Sequence, residues 1–346
     1  MTMQKQEVLQ TTKFGIAINK WRILMMIVFA ILACSGIICS IISGAVAIPI
    51  SELKNIFIDG VNSPHQQILY NIRLPRTIVA GLVGMNLAMA GAILQAVMKN
   101  PLADPHIIGI SSGAGLTGIL VIVLFPAMEY LITPIAFVGA MIAAICIYLL
   151  AWKNGIRPLR IILAGVAVSA FLGAGISAIL VLYSDRIHGA LMWMVGGLSA
   201  RSWPHVDIIW PYALIGFILA MLGSRHLNIL QLGDDIAKAL GVNVELTRIY
   251  LTAIGALLAA SAVSVAGLLG FVGLIVPHTA RLLVGSDYRY LIPSSALLGI
   301  AVVTYSDTFA RVAFAPLELP VGIFMAILGA PFFLFLLRKA VSYTHL

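Results

Sequence analysis

The sequence predicts an all-α polytopic membrane protein with about ten transmembrane helices. Of its 346 residues, 61% are hydrophobic and only 10% are charged, whereas soluble domains carry roughly a quarter charged residues. Uncharged apolar runs recur along the chain, and each approaches the roughly 20 residues that one helical crossing of a bilayer requires. Short polar connections separate the runs. The composition therefore excludes a water-soluble globule.

The basic residues are spread over the connections and do not form one patch. A formal net charge of +8 could otherwise suggest a nucleic-acid partner. In a membrane protein this excess is expected, because Lys and Arg accumulate in cytoplasmic loops. We therefore expect membrane lipid, and no nucleic acid, around this chain.

The N-terminal region consists of a polar tail and a long apolar run. Residues 1–22 are predicted to form a cytoplasmic tail and contain four basic residues, Lys5, Lys13, Lys20 and Arg22. The run 23–48 contains Ala45-Val46-Ala47, which is similar to a signal-peptide cleavage site. Secretory apolar regions are only about 7–15 residues long, so we interpret this run as an uncleaved first span.

The stretch 73–115 contains one crossing, the turn after it and the start of the next crossing. Arg73 and Arg76 precede an uncharged run at 77–98. The following turn at 99–105, Lys-Asn-Pro-Leu-Ala-Asp-Pro, contains two prolines, which interrupt a helix. The sequence therefore predicts a turn at the cytoplasmic side of the membrane.

Small residues recur at every fourth position in two of the runs. They stand at positions 80, 84, 88 and 92, and again at 165, 169, 173 and 177. Such stripes allow close helix packing in lipid. They predict tight packing within one subunit or, alternatively, a subunit interface or pore lining.

The apolar runs together define a transmembrane domain at 23–339. The predicted spans are 23–48, 77–98, 107–125, 134–152, 161–183, 208–223, 249–269, 271–284, 292–308 and 319–337. The region 249–284 can also be divided differently around its glycines. Residues 340–346 form a C-terminal tail whose sequence suggests a non-native addition, and we exclude it from the domain.

The basic residues indicate the orientation of the chain. With both termini in the cytoplasm, fifteen of the 21 Lys and Arg residues fall in cytoplasmic segments and six fall outside. The six outside residues are Lys54, Arg73, Arg76, Arg186, Arg201 and Arg311. This excess on the inner side follows the positive-inside rule, so a multi-pass protein with both termini cytoplasmic is predicted.

A polar segment at 224–248 is predicted to form a cytoplasmic loop with a short helix at its centre. Asp234 is the predicted N-cap, and Asp235 suits the first turn. Lys238 suits the last turn. Gly241 is the predicted left-handed C-terminal cap.

The apolar residues of this short helix leave three uses open. Ile236, Ala237 and Leu240 form a stripe at helical spacing. The helix could lie on the membrane surface, pack on its own bundle or dock a partner. Adsorption to the membrane is disfavoured because helices of that kind are usually rich in Lys and Arg. We therefore expect partner docking, with packing on the bundle as the alternative.

No catalytic or metal-binding pattern is found in the sequence. There is no GxxxxGK[ST], HExxH or GxSxG segment, and no cofactor is expected on this chain. The predicted spans contain almost no ionisable residues, which argues against a proton or sodium relay. Asp307 is the main exception, and its spacing from Arg311 predicts an i,i+4 ion pair.

Five segments in series resemble the permease subunits of iron-siderophore, haem and cobalamin importers, the FecCD-like family of type II ABC importers. The first begins RLPRTIVAGLVG and continues to KNPLADPHIIGISSGA. The others are LMWMVGGLSARSW, LGDDIAKALGVNV, GFVGLIVPHTARLLVGSDYRYLIP and ELPVGIFMAILGAPFFLFLLRK. The resemblance extends from Arg73 to Lys339.

The resemblance implies an ABC type II importer permease fold and a defined set of partners. These are a second permease subunit in a homo- or heterodimer, two ATPase subunits that bind ATP–Mg inside, and an extracytoplasmic substrate-binding protein. It implies import of a ferric siderophore across a bacterial cell membrane, with haem or cobalamin as the alternative, and no enzymatic activity in this chain. A secondary transporter, an integral-membrane enzyme and a structural scaffold are more distant alternatives.

The resemblance also implies roles for particular residues. Arg73, Arg76 and Arg311 match arginines that dock the binding protein; ordinary pairing with lipid phosphates is the alternative. Asn100 and Leu102 match the cytoplasmic gate, although a rigid turn also explains this segment. The ATPase coupling helix is matched by Asp234, Asp235, Ala237, Lys238, Leu240 and Gly241. A second gate element is not assigned, because residues 156–160 are bulkier and more basic than in relatives.

Overall fold

The computed structural model describes residues 2–44, 64–153 and 158–342, and every regular element in these ranges is helical. A π-helical turn, Leu69–Arg73, joins the short helix Pro64–Ile68 to the long helix Leu74–Val97. In chain order the α-helices are α1 Thr2–Ile42, α2 Pro64–Ile68, α3 Leu74–Val97, α4 Pro105–Ile108, α5 Ile110–Leu124, α6 Ile132–Ala151, α7 Pro158–Leu182, α8 Ile187–Val195, α9 Trp203–Gln231, α10 Asp234–Ala239, α11 Val244–Ala266, α12 Val272–Val284, α13 Tyr288–Val312 and α14 Val321–Ser342.

The predicted all-α polytopic architecture is confirmed. Within the described ranges, seven helical segments are long and apolar enough to cross a membrane. They lie in α1, α2–α3, α6, α7, α9, α11 and α13. Three shorter apolar helices, α5, α12 and α14, complete a one-to-one correspondence with the ten predicted spans.

The boundaries of several spans differ from the prediction. α1 begins at Thr2, so the polar N-terminal region is helical and continues directly into the first span. The same helix ends at Ile42, whereas the predicted run continues to 48; residues 45–48 lie outside the described ranges. α9 extends to Gln231 because Leu227 and Leu230 are buried in the core, so the predicted loop at 224–248 begins as helix.

α3 is the central helix of the bundle. Nearly all of its residues are buried, and it packs against α9, α11, α12 and α13. Gly84 faces the carbonyl of Gly299, and Gly91 faces that of Gly273, so closely that a Cβ atom at either glycine would collide with the backbone. The small-residue stripe of this span therefore packs within the subunit, which was the first of the two alternatives predicted for it.

Polar side chains of the described residues gather at two opposite ends of the bundle. One end, called the Asp234 end, contains Arg22, Lys99, Asp234 and Asp287. The other, called the Arg76 end, contains Ser40, Arg76, Arg311 and Glu318. Among these described residues, those predicted to be cytoplasmic lie at one end, and Arg76 and Arg311, predicted to be outside, lie at the other.

Candidate functional site

The predicted short helix is α10, and its termination follows the sequence pattern. Gly241 has the left-handed φ of 79°. The amide of Val242 donates to the carbonyl of Ala237 at 3.0 Å, and the amide of Gly241 donates to that of Lys238 at 2.9 Å. This pair of bonds is a Schellman motif. The start is one residue earlier than predicted: Gly233 is the N-cap, and Asp234 is the first helical residue.

The apolar stripe of α10 divides between the bundle and solvent. Ala237 is fully buried, but Ile236 is 51% exposed and Leu240 is 59% exposed. Leu232 and Leu246, which flank the helix in sequence, are exposed as well. We call these four exposed residues the α10 patch. Exposed apolar clusters of this kind mark interaction surfaces, and packing on the bundle accounts for Ala237 alone.

The Asp234 carboxylate joins two other parts of the chain. Its Oδ1 accepts from Lys99 Nζ at 2.7 Å and from Arg248 Nη2 at 2.8 Å. Partial burial opposes ionisation, but the hydrogen bonds and charges of Lys99 and Arg248 hold the pKa of Asp234 below its ordinary value. The role predicted for Asp234 was helix capping. Its ion pairs were missed, because Lys99 lies 135 positions away.

The turn that follows α3 begins at Lys99 and is internally bonded. Asn100 Oδ1 accepts from the amide of Leu102 at 2.9 Å, and the Asn100 carbonyl accepts from Ala103 at 3.1 Å. Asp104 Oδ1 caps α4 by accepting from the amide of His106 at 2.8 Å. Asn100 and Leu102 are half-buried. This geometry satisfies the rigid-turn interpretation, and their gate role stays a prediction.

The end of α3 is also tied to α12. Gln95 Nε2 donates to the carbonyl of Gly273 at 3.2 Å, and Gln95 Oε1 accepts from Arg281 Nη2 at 3.0 Å. The turn, α10, α11 and α12 are therefore linked by side chains at the Asp234 end. The ion pair of Lys99 with Asp234 joins α10 to the turn that contains Asn100 and Leu102.

A buried ion pair organises the Arg76 end. Arg76 Nε and Nη2 each donate to one oxygen of Asp307 at 2.9 Å, and Nη1 donates to Glu318 Oε2 at 2.8 Å. Both Arg76 and Asp307 are buried. The predicted ion pair between Asp307 and Arg311 is wrong, because Arg76 occupies the Asp307 carboxylate.

The other two predicted docking arginines bind the end of α1. Arg73 Nη1 donates to the carbonyls of Ile41 and Ile42, and Arg311 Nη2 donates to the carbonyl of Ser40 at 2.9 Å. The last carbonyls of a helix lack partners within it, and these guanidinium groups supply them. Arg73, Arg76 and Arg311 are all buried. Their role in docking a binding protein stays a prediction.

The described side chains form no group of three or more His, Cys, Asp or Glu residues placed to hold a metal ion. What the chain presents instead is a bundle of apolar helices, with an exposed patch at one end and buried arginines at the other. This arrangement suits a transmembrane conduit whose polar ends meet other molecules.

The sequence relationship agrees with this arrangement. Residues 32–339 match the FecCD transport family. The chain belongs to this family. It is 41% identical to the Fe(3+)-citrate import system permease protein YfmD of Bacillus subtilis over 92% of this chain and 95% of that protein.

Other relatives are named for different cargoes. The hemin transport system permease protein HmuU of Yersinia pestis is 38% identical over 86% of this chain and 90% of its own length. The solved structure of a metal-chelate type ABC transporter in an inward-facing conformation matches 92% of this chain and 97% of its own, with a TM-score of 0.78 and 28% identity. This FecCD-family chain is therefore an ABC importer permease and a multi-pass protein of the cell membrane.

Proposed function

We propose that this chain is the permease subunit that carries a ferric siderophore or a related iron chelate into the cytoplasm. The family and the identity to a ferric-citrate import permease support an iron cargo. Haem and cobalamin are the alternative cargoes, because relatives of similar identity carry those names. The proposal places the Asp234 end in the cytoplasm and the Arg76 end outside, in line with the distribution of basic residues.

The observation that carries the proposal is the α10 patch together with the ion pairs of Asp234. The patch offers Ile236 and Leu240 to a cytoplasmic protein. Asp234 bonds to Lys99, the first residue of the turn. An ATPase bound at α10 would therefore pull on the turn that contains Asn100 and Leu102, and open or close the inner mouth of the conduit.

The proposed assembly contains a second permease subunit, two ATPase subunits and an extracytoplasmic binding protein. ATP–Mg binds to the ATPase subunits, and this chain hydrolyses nothing. The helix α7 supports a second membrane subunit, because it is the least buried of the long spans in the described ranges. A Cβ atom placed on Gly173, which belongs to its small-residue stripe, would lie more than 4 Å from every described group outside the local backbone of α7. Close packing against another helix would use that surface.

The experiment alters the α10 patch and measures association with the ATPase. Ile236→Asp and Leu240→Asp each place a charge on the patch, so co-purification of the ATPase and ATP-driven iron uptake are both expected to be lost. Leu317→Asp is the matched control, because Leu317 is an exposed leucine of the Arg76 end. Full ATPase recovery with both patch variants would contradict the proposal. The cargo is identified by comparing ATP-driven uptake of the iron chelate, haem and cobalamin in proteoliposomes that contain the unaltered chain and its partners.

A further inference from the structure

A cavity of about 580 Å³ lies at the Arg76 end, where Ser199 of its wall donates to Glu318 Oε2 at 3.4 Å. It lies between the connection from α5 to α6, helix α8 and the segment that joins α8 to α9. Trp193 and Tyr130 contribute aromatic walls. Polar groups of its wall include Glu129, Ser199, Arg201 and His205. Its volume falls in the range of roughly 300–1,000 Å³ that is usual for small-molecule pockets.

Arg201 has no acceptor for its guanidinium group among the described residues. No hydrogen bond or ion pair holds the group, and its Nε is shielded from solvent. Arg201 is half-buried, whereas the buried arginines of this end, Arg73, Arg76 and Arg311, each have at least one bonded acceptor, although the Nε of Arg311 has none. A shielded donor without an acceptor is uncommon in folded proteins, so Arg201 requires an explanation.

The backbone at Arg201 is also unusual. Ala200 adopts a left-handed conformation with φ of 58°. That region is unfavourable for a residue with a Cβ atom. Strained conformations of this kind concentrate at ligand sites. The chain thus adopts an unfavourable backbone at the residue that precedes the unpaired cation.

The charges of this end leave room for an anion. Among the described groups of the network, Arg76, Arg201 and Arg311 lie near two carboxylates, Asp307 and Glu318, and both of these bond to Arg76. Burial, together with the positive charge of Arg76, lowers the pKa of Arg201 to about 10. Arg201 therefore stays charged at neutral pH. Glu129 also lines the cavity but forms no ion pair with Arg201.

We propose that this cavity binds a carboxylate group of a small anionic chelate and that Arg201 is its anchoring cation. An arginine suits this role because its planar group can bind a carboxylate through two parallel hydrogen bonds. The inference rests on the proposed function, in which this end receives an iron chelate from outside. It adds that the cargo is of the carboxylate class, as in ferric citrate, rather than a neutral hydroxamate.

The test measures binding to the purified permease–ATPase complex in nanodiscs of phosphatidylcholine, a lipid that has no net charge. Citrate and ferric citrate are titrated by calorimetry. Arg201→Gln is expected to weaken both by about tenfold or more, since hydrogen bonds between charged groups are worth about 1.5–3 kcal/mol. Arg186→Gln, an exposed arginine of the same end, is expected to bind as the parent does. Glu129→Gln is expected to bind more tightly.

Three further results separate the possible outcomes. Unfolding of Arg201→Gln without ligand is expected at the same temperature as the parent or higher; a lower temperature would show a structural partner and overturn the inference. Binding of inorganic phosphate with no binding of citrate would overturn the carboxylate assignment. Equal citrate binding by parent and Arg201→Gln would overturn it too. ATP-driven uptake of a ferric trihydroxamate, after the same complexes and the binding protein are reconstituted into proteoliposomes, would leave the proposed function standing.

Discussion

The two polar ends of the bundle use the same chemistry in different surroundings. At the Arg76 end, the side chains of Arg76 and Asp307 are 6% and 1% exposed. At the Asp234 end, those of Lys99 and Asp234 are each 37% exposed. At the Arg76 end one guanidinium joins two carboxylates, and at the Asp234 end one carboxylate joins two cations. Only the first pair is removed from water.

This difference predicts different roles for the two ends. Removing one partner of a buried pair leaves an uncompensated charge, which costs about 3–5 kcal/mol. An exposed pair is worth only about 0–1 kcal/mol, because water replaces either partner. The Arg76 end is therefore suited to holding α1, α3 and α13 together. The Asp234 end is suited to contacts that form and break during a cycle.

The largest effect on stability is expected at Arg76. Arg76→Ala leaves Asp307 buried without a counter-ion and is expected to reduce the free energy of unfolding by about 3–5 kcal/mol. Thermal and denaturant unfolding in detergent measure the change. Arg186→Ala is the control, because Arg186 is exposed. Equal stability of the two variants would remove the contrast between the ends.

A smaller loss is expected at Arg311. Arg311→Met keeps much of the side-chain volume but leaves the Ser40 carbonyl of α1 without its donor. The cost of a buried unsatisfied group is about 1–3 kcal/mol. Hydrogen exchange of the last turn of α1 is expected to accelerate with the loss of stability. Unchanged exchange in that turn would contradict the role of Arg311 as a cap.

Asp234→Asn is expected to reduce transport and to lower stability less than Arg76→Ala does, because the Asp234 side chain is itself 37% exposed. Loss of its ion pairs with Lys99 and Arg248 disconnects α10 from the turn. Coupling free energies of about 1–3 kcal/mol correspond to factors of about 5–150. The rate of ATP-driven uptake is expected to decrease by a factor in that range. The ATPase is expected to co-purify as before, since the α10 patch is intact. Normal uptake by this variant would show that the linkage is not used.

The smallest effect is an acid-dependent one at Asp287. Hydrogen bonds from Arg289 lower the pKa of Asp287 from its ordinary value of 3.8 to about 2, against partial burial. Because the folded-state pKa is the lower one, the contribution to stability is present above pH 3.8 and is lost as the pH falls through 2. Melting temperatures between pH 5 and about pH 2 are expected to fall less steeply for Asp287→Asn. Parallel curves for the two proteins would exclude this group.

Local features of the molecule could be predicted from the sequence, and long-range contacts could not. The ten spans follow from runs of apolar residues, and the left-handed conformation of Gly241 follows from the residues around it. The pairs of Asp234 with Lys99 and of Arg76 with Asp307 join positions 135 and 231 residues apart. No local pattern identifies such partners.

The burial of the docking arginines shows a second limit. Arg73 and Arg311 bind carbonyls that are free only because α1 ends at Ile42. The apolar run continues to 48, so the sequence places the end of the helix beyond these carbonyls. The bonds that Arg73, Arg76 and Arg311 make within the chain could therefore not be predicted from the sequence.

The central claim is that this conduit is driven by an ATPase bound at α10. It is tested most directly by uptake of a radioiron-labelled chelate into proteoliposomes that contain the chain, its ATPase and its binding protein. Uptake is expected only with ATP and is expected to stop in Ile236→Asp vesicles. Uptake driven by a proton or sodium gradient, with neither ATP nor an ATPase present, would contradict the account.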